Sequence, residues 1–88
     1  GRSDDAERHF RDSLELSARI GARPSLAHTQ TEYAQMLLER QDRPALETAR
    51  VLLDEAVATY RELGMESHLG RAVRLRDQAS TRKPKPAR

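Results

Sequence analysis

The chain has 88 residues and a formal net charge of +2, and 36% of its residues are hydrophobic and 34% charged. This length allows one small domain with a modest core, and the absence of cysteine excludes disulfide bonds and thiolate chemistry. No apolar run approaches the roughly 18 residues that a membrane span needs and no signal peptide is visible, so we expect a cytoplasmic protein.

The first predicted helix runs from Asp5 to Ile20 and follows an N-terminal flank, residues 1–4. Asp4 is the expected N-cap, and Glu7, three residues further on, completes a pattern typical of a capping box. Gly21 is expected to end the helix in the left-handed conformation. Small and apolar residues spaced three and four apart predict an inner face made of Ala6, Phe10, Ser13, Leu14, Ser17 and Ile20.

The same periodicity predicts a second helix from Pro24 to Arg40 and a third from Pro44 to Leu63. Each begins with a proline, which a helix tolerates in its first turn, and Gly64 ends the third helix. The residues expected to face the core are Leu26, Ala27, Gln30, Tyr33, Ala34, Leu37 and Leu38 in the second helix, and Leu46, Ala49, Leu52, Leu53, Ala56, Val57, Tyr60 and Leu63 in the third.

The fourth predicted helix spans Glu66 to Ala79. Its inward positions are Leu69, Ala72, Val73 and Leu75. Residues 80–88 carry basic side chains and no acid, and their Lys-Pro-Lys-Pro run cannot continue a helix. We therefore expect a helical domain over residues 5–79 followed by a disordered basic tail.

Short loops separate the predicted helices, and no segment alternates strictly between apolar and polar residues as a half-buried strand does. Consecutive helices joined by short loops pack as antiparallel neighbours. The sequence therefore predicts an all-α fold of about four helices arranged as antiparallel hairpins.

A repeat becomes visible when the sequence is compared with itself at an offset of 43 residues. Small residues then align with small ones, large apolar residues with large apolar ones, and acids with acids. The aligned pairs are Ala6 with Ala49, Phe10 with Leu53, Asp12 with Glu55, Ser13 with Ala56, Leu14 with Val57, Ile20 with Leu63, Gly21 with Gly64 and Leu26 with Leu69. Periods of about 20–50 residues are typical of helical solenoids.

The spacing of small and large residues resembles that of the tetratricopeptide repeat (TPR). The small, large, small pattern of its second helix occurs at Ala49, Leu53 and Ala56 and again at Ala6, Phe10 and Ser13, while Tyr33, Ala34 and Leu37 resemble its first helix. The run "LLDEAVATYRELGM", which follows "YAQMLLERQD", is similar to the C-terminal TPR arrays of large actinobacterial regulators. Those regulators include ATPase-containing transcriptional regulators and nucleotide-cyclase-like signalling proteins.

The resemblance covers about residues 5–75 and implies a TPR-like superhelix within a larger protein. It also implies a non-enzymatic interaction or regulatory module whose partner is a protein, a peptide or another domain of the same chain. The 43-residue period exceeds the usual 34, Gln30 stands where an aromatic residue or leucine is usual, and Gly64 replaces a proline. HEAT and armadillo repeats, with periods of about 40–47 residues, stay open as alternatives.

No pattern in the sequence indicates a catalytic or metal site. His9, His28 and His68 form no His-x-x-x-His pair and have no cysteine to assist them. In a helical array, His28 and His68 would lie about one repeat apart. There is no glycine-rich phosphate loop, and nothing joins serine, histidine and acid into a triad. We expect neither enzyme activity nor a cofactor.

The first helix of each hairpin in a TPR-like solenoid lines its concave side. On the second predicted helix, this side would present a polar face suited to a peptide or a helix, or it would simply face water or another repeat. The predicted partner face comprises His28, Thr31, Gln35, Leu38 and Glu39.

Two other functions fit the sequence. Basic residues near the C-terminal end could contact nucleic acid or an anionic surface, although no aromatic residues are interleaved with them for base stacking. The candidate anion contacts are Arg71, Arg74, Arg76, Arg82, Lys83 and Lys85. The other alternative is a structural cap or oligomerisation element, with a homodimer formed by stacking of repeats or swapping of helices.

Overall fold

The computed structural model describes residues 2–82, which form four α-helices joined by two-residue turns. The helices are α1 (Arg2–Ile20), α2 (Arg23–Arg40), α3 (Arg43–Leu63) and α4 (Glu66–Thr81). Residues 2–82 contain no strand, and each helix packs against the next one along the chain. The predicted all-α fold of antiparallel hairpins is confirmed.

The first three helices begin slightly earlier than the sequence predicts, and α4 begins at Glu66, as predicted. α1 starts at Arg2, so Asp4 lies in its first turn instead of capping it, where its negative charge still interacts favourably with the helix dipole. The predicted N-cap at Asp4 is therefore wrong. α3 has a side-chain cap, since a carboxylate oxygen of Asp42 accepts a hydrogen bond from the N–H of Ala45 at 2.8 Å. α4 continues to Thr81, two residues beyond its predicted end.

The α1–α2 and α3–α4 turns have the same backbone geometry. Gly21 and Gly64 both have a φ of 71°, in the left-handed region that favours glycine. In both turns the glycine N–H donates to the carbonyl three residues earlier at 3.3 Å, and the next N–H donates to the carbonyl five residues earlier, at 2.9 Å and 3.0 Å. These bonds satisfy carbonyl groups at the helix end. Each atom of the second turn lies 43 residues after its counterpart in the first.

The core lies mainly between α2 and α3, with α4 packed against both of them. Its largest fully buried side chains include Tyr60, Leu37, Leu46, Leu53 and Val57. Ala34, Ala49 and Ala56 have no exposed surface, and their small side chains let the helix axes approach closely. Tyr33 also lies in this core.

α1 contacts α2 alone among the described helices. Phe10 packs against the core, but it is only half-buried, as are Ala6 and Ser13. Ile20 was predicted to face inward and is 67% exposed, because no described helix covers the far side of α1. Leu63 is 39% exposed at the end of α3, so the inward predictions for these two residues are wrong.

Candidate interaction surfaces

The predicted partner face of α2 is partly exposed and partly buried in the structure. Gln35 and Glu39 are exposed and His28 is half-buried. Thr31 and Leu38 are buried, with exposures of 1% and 2%, because α3 and α4 both pack against α2. The prediction that Thr31 and Leu38 face a partner is wrong, since both belong to the interior.

Two of the predicted anion-binding arginines bind acceptors of this chain. The Arg71 guanidinium donates to Glu32 Oε1 at 2.9 Å and also to the side-chain oxygen of Gln35, which joins α4 to α2. The Arg82 guanidinium donates to the backbone carbonyl of Leu38 at 2.8 Å. Both guanidinium groups therefore connect the C-terminal end of the structure to α2, and their assignment as anion contacts stays a prediction.

The remaining predicted anion contacts do not form one basic surface. Arg76 lies 3.7 Å from the carboxylate of Asp54 on α3, so this charge is also balanced within the molecule. Arg74 is exposed on α4. Lys83 and Lys85 lie outside the described residues. Three of the predicted anion contacts, Arg71, Arg76 and Arg82, thus already pair with acceptors of this chain.

Three rings from three helices form a cluster that the sequence did not predict. His28 Nδ1 lies 2.6 Å from the hydroxyl oxygen of Tyr60, within hydrogen-bond distance. The ring centroid of His68 lies 4.6 Å from that of His28 and 5.4 Å from that of Tyr60. The expectation that His28 and His68 lie one repeat apart is wrong, because the short α3–α4 turn folds the start of α4 back beside α2.

The environment of this aromatic cluster (His28, Tyr60 and His68) disfavours charge. Burial lowers the pKa of the His28 imidazole, and the neighbouring His68 lowers it further by charge repulsion. Glu32 acts in the opposite direction, whereas the positive charge of Arg71 adds to the lowering. Burial also raises the pKa of the Tyr60 hydroxyl. The surroundings of His28 and Tyr60 therefore favour the neutral form of each.

A second group of contacts fastens α1 to α2. The Glu7 carboxylate accepts hydrogen bonds from the Tyr33 hydroxyl at 2.9 Å, from Arg11 at 2.9 Å and from Arg40 at 3.1 Å. The rings of Phe10 and Tyr33 are stacked, with centroids 5.3 Å apart. Sequence reasoning assigned Glu7 to a capping box and missed its bonds to Tyr33 and Arg40, because these two residues come from a distant part of the chain. With three donors, the carboxylate is satisfied and has a structural role.

The far side of α1 forms the open face, defined by Asp12, Leu16, Arg19 and Ile20. Leu16 is 56% exposed and lies on a shallow cavity of about 220 Å³ with Asp12, Glu15 and Arg19. An ion pair of 2.7 Å joins Arg19 to Glu15, and both of these side chains are largely exposed. Such a pair contributes little to stability and exchanges partners readily.

Residues 2–82 contain no group of three or more histidine, cysteine or acidic side chains placed to hold a metal ion. In the same range, none of the helices combines the length and the apolar character required to cross a membrane. Comparisons of the chain with protein-family models, curated proteins and solved structures found no match.

Proposed function

We propose that this chain is a non-enzymatic protein–protein interaction module built from TPR-like helical repeats, and that it binds a partner helix on the open face of α1. The observation that carries the proposal is the correspondence between α1 and α3. Both helices end in the same glycine turn and pack against the next helix along the chain. α2 covers the side of α3 that α4 leaves free. No described helix covers the corresponding side of α1, which α2 leaves free.

The contacts between α2 and α3 indicate how such a helix would lie. Glu55 on α3 accepts a hydrogen bond from Gln30 at 3.4 Å, and Glu62, seven residues later, pairs with Arg23. At the 43-residue offset, the counterparts of Glu55 and Glu62 on α1 are Asp12 and Arg19. These residues lie at the two ends of the open face, with Leu16 between them.

Charge complementarity then defines the partner's chemistry. Asp12 carries a negative charge, as does its counterpart Glu55 on α3. It therefore requires a hydrogen-bond donor such as the amide of Gln30. Arg19 has the opposite sign to its counterpart, so it requires an acid where α2 carries Arg23. The preferred partner is an amphipathic helix with an apolar stripe between an acidic residue and a donor seven residues later.

A fusion protein tests this proposal without a known partner. Residues 23–43 of this sequence, with Arg23 of the added copy changed to Glu, are placed directly before Gly1, which preserves the 43-residue register. We expect the added helix to cover α1 and to raise the melting temperature of the fused chain. Urea denaturation of the fused and parent chains, each with and without Leu16→Lys, measures the coupling between Leu16 and the added helix.

Leu16→Lys should change the parent chain by no more than about 0.5 kcal/mol, because Leu16 is exposed there, and should destabilise the fused chain by about 1.5–3 kcal/mol. Val51→Lys is the matched control, since Val51 is 58% exposed on α3 and lies outside the open face. Equal costs of Leu16→Lys in both chains would contradict the proposal. Sedimentation of the parent chain separates helix capture from self-association, and a dimer broken by Leu16→Lys would make a second copy the occupant.

A further inference from the structure

We propose that His28, Tyr60 and His68 form a pH-sensitive latch that holds α4 against α2 and α3 while both imidazoles are neutral and releases it when they are protonated. This device is independent of helix binding on α1, because the three residues lie on the other helices. It rests on the position of the cluster at the junction where the start of α2, the end of α3 and the start of α4 meet.

The geometry makes the two histidines sensitive to each other's charge. Their ring centroids lie 4.6 Å apart, so protonation of both would place two imidazolium cations in contact. His28 is half-buried and is held by the Tyr60 hydroxyl at 2.6 Å, which limits its movement away from His68. Relief of the repulsion therefore falls on His68, whose ring contacts with His28 and Tyr60 join the start of α4 to α2 and α3.

The surrounding charges do not compensate for this repulsion. α2 contributes one acid, Glu32, and α4 contributes Arg71, which already pairs with it at 2.9 Å. α3 contributes Tyr60, which stays neutral because burial raises the pKa of its hydroxyl. Glu62 at the end of α3 is paired with Arg23, and Glu66 in the first turn of α4 is exposed. Protonation of both histidines would therefore add positive charge to a junction in which Glu32 and Glu62 are already paired.

The direction of the pH effect follows from the folded state's preference for neutral His28. Burial and the nearby His68 lower the pKa of His28 below the ordinary histidine value of 6.5. The unfolded chain therefore binds a proton more readily than the folded chain does. The stabilisation is complete at a pH above the pKa of His28 in the unfolded chain. It is lost as the pH falls through the lower pKa of His28 in the folded chain.

The first hairpin provides an internal comparison. At the 43-residue offset, Ser17 and Ser25 correspond to Tyr60 and His68. The Ser17 hydroxyl donates to that of Ser25 at 3.2 Å, which joins α1 to α2 through groups that do not titrate in the histidine range. Acidification in that range should loosen α4 while the junction of α1 with α2 stays intact.

NMR on the full chain tests the latch through two readouts. The ring protons of the three histidines are titrated between about pH 8 and pH 5, and amide protection factors, corrected for intrinsic exchange, are measured at both ends of this range. His68→Gln is the main variant, because His68 is exposed and its replacement should not impair folding. His9→Gln is the matched control, since His9 is exposed on α1.

In the wild type, we expect the pKa of His28 to lie below the ordinary histidine value of 6.5, and protection in α4 to fall on acidification more than protection in α1. In His68→Gln, the titration of His28 should move upward and the fall in α4 protection should diminish. His9→Gln should behave as the wild type. A His28 whose pKa is not below the ordinary histidine value of 6.5, or an α4 whose protection falls equally in the wild type and in His68→Gln, would overturn the proposal.

Discussion

Gln41 holds a strained backbone conformation in the tight turn between α2 and α3. It is the one non-glycine residue with a positive φ within residues 2–82, at 59°, and it occupies the left-handed C-cap of α2. The corresponding places after α1 and α3 are occupied by Gly21 and Gly64. A side chain with a Cβ atom is strained in this region, whereas glycine is not.

We predict that Gln41→Gly stabilises the chain by about 0.5–1 kcal/mol, because the relief of left-handed strain exceeds the added entropy of the unfolded state. Urea denaturation of the variant measures this change. Gln41→Asn should lie between the wild type and the glycine variant, since asparagine tolerates this conformation better than glutamine. A less stable glycine variant would show that contacts of the Gln41 side chain outweigh the strain.

The conformation or burial of a single residue could be predicted from sequence where its cause lies in neighbouring residues of the chain. Gly21 and Gly64 could be assigned from sequence, because the left-handed turn requires glycine at the helix end. The burial of Thr31 could not, because it depends on the packing of α3 and α4 against the same side of α2. The approach of His68 to His28 was missed for the same reason.

At the level of helices, α1 and α3 have matching patterns but different surroundings. α3 has a neighbour on both sides and buries Ala56 completely, whereas α1 has one neighbour and leaves Ser13, its counterpart, half-buried. Periodicity predicts which residues form a helical stripe, but it does not predict whether another helix covers that stripe. The exposure of Ile20 results from this difference.

A pair of matched substitutions tests this difference between the helices. Ala56→Phe should overpack the space between α3 and its neighbours and cost about 1–3 kcal/mol. Ser13→Phe introduces the same side chain at the corresponding position of α1 and should cost clearly less, because one side of that helix is free. Thermal denaturation of both variants compares the two costs, and equal losses would mean that α1 is as enclosed as α3.

At the level of the whole molecule, α2 packs against all three of the other described helices, α3 and α4 pack against two each, and α1 packs against one. Antiparallel order followed from the short turns and could be predicted from sequence. The hydrogen bonds from Arg71 and Arg82 to α2 could not be predicted, because they join residues far apart in the chain.

This arrangement predicts a gradient of local stability. Amide exchange should be slowest in α2 and α3 and fastest in α1, since opening of α1 breaks its contact with a single helix. Hydrogen exchange at neutral pH, resolved by residue, measures the gradient. Uniform protection across the four helices would instead indicate that the chain unfolds only as one cooperative unit.

The central claim is that the open face of α1 receives a helix in the manner in which α3 receives α2. Methyl NOEs in the fused chain described above test it most directly. We predict contacts from the methyl groups of Leu16 and Ile20 to the added helix, together with shifts of both residues relative to the parent chain. Methyl signals that keep their parent positions and show no contact with the added helix would contradict the claim.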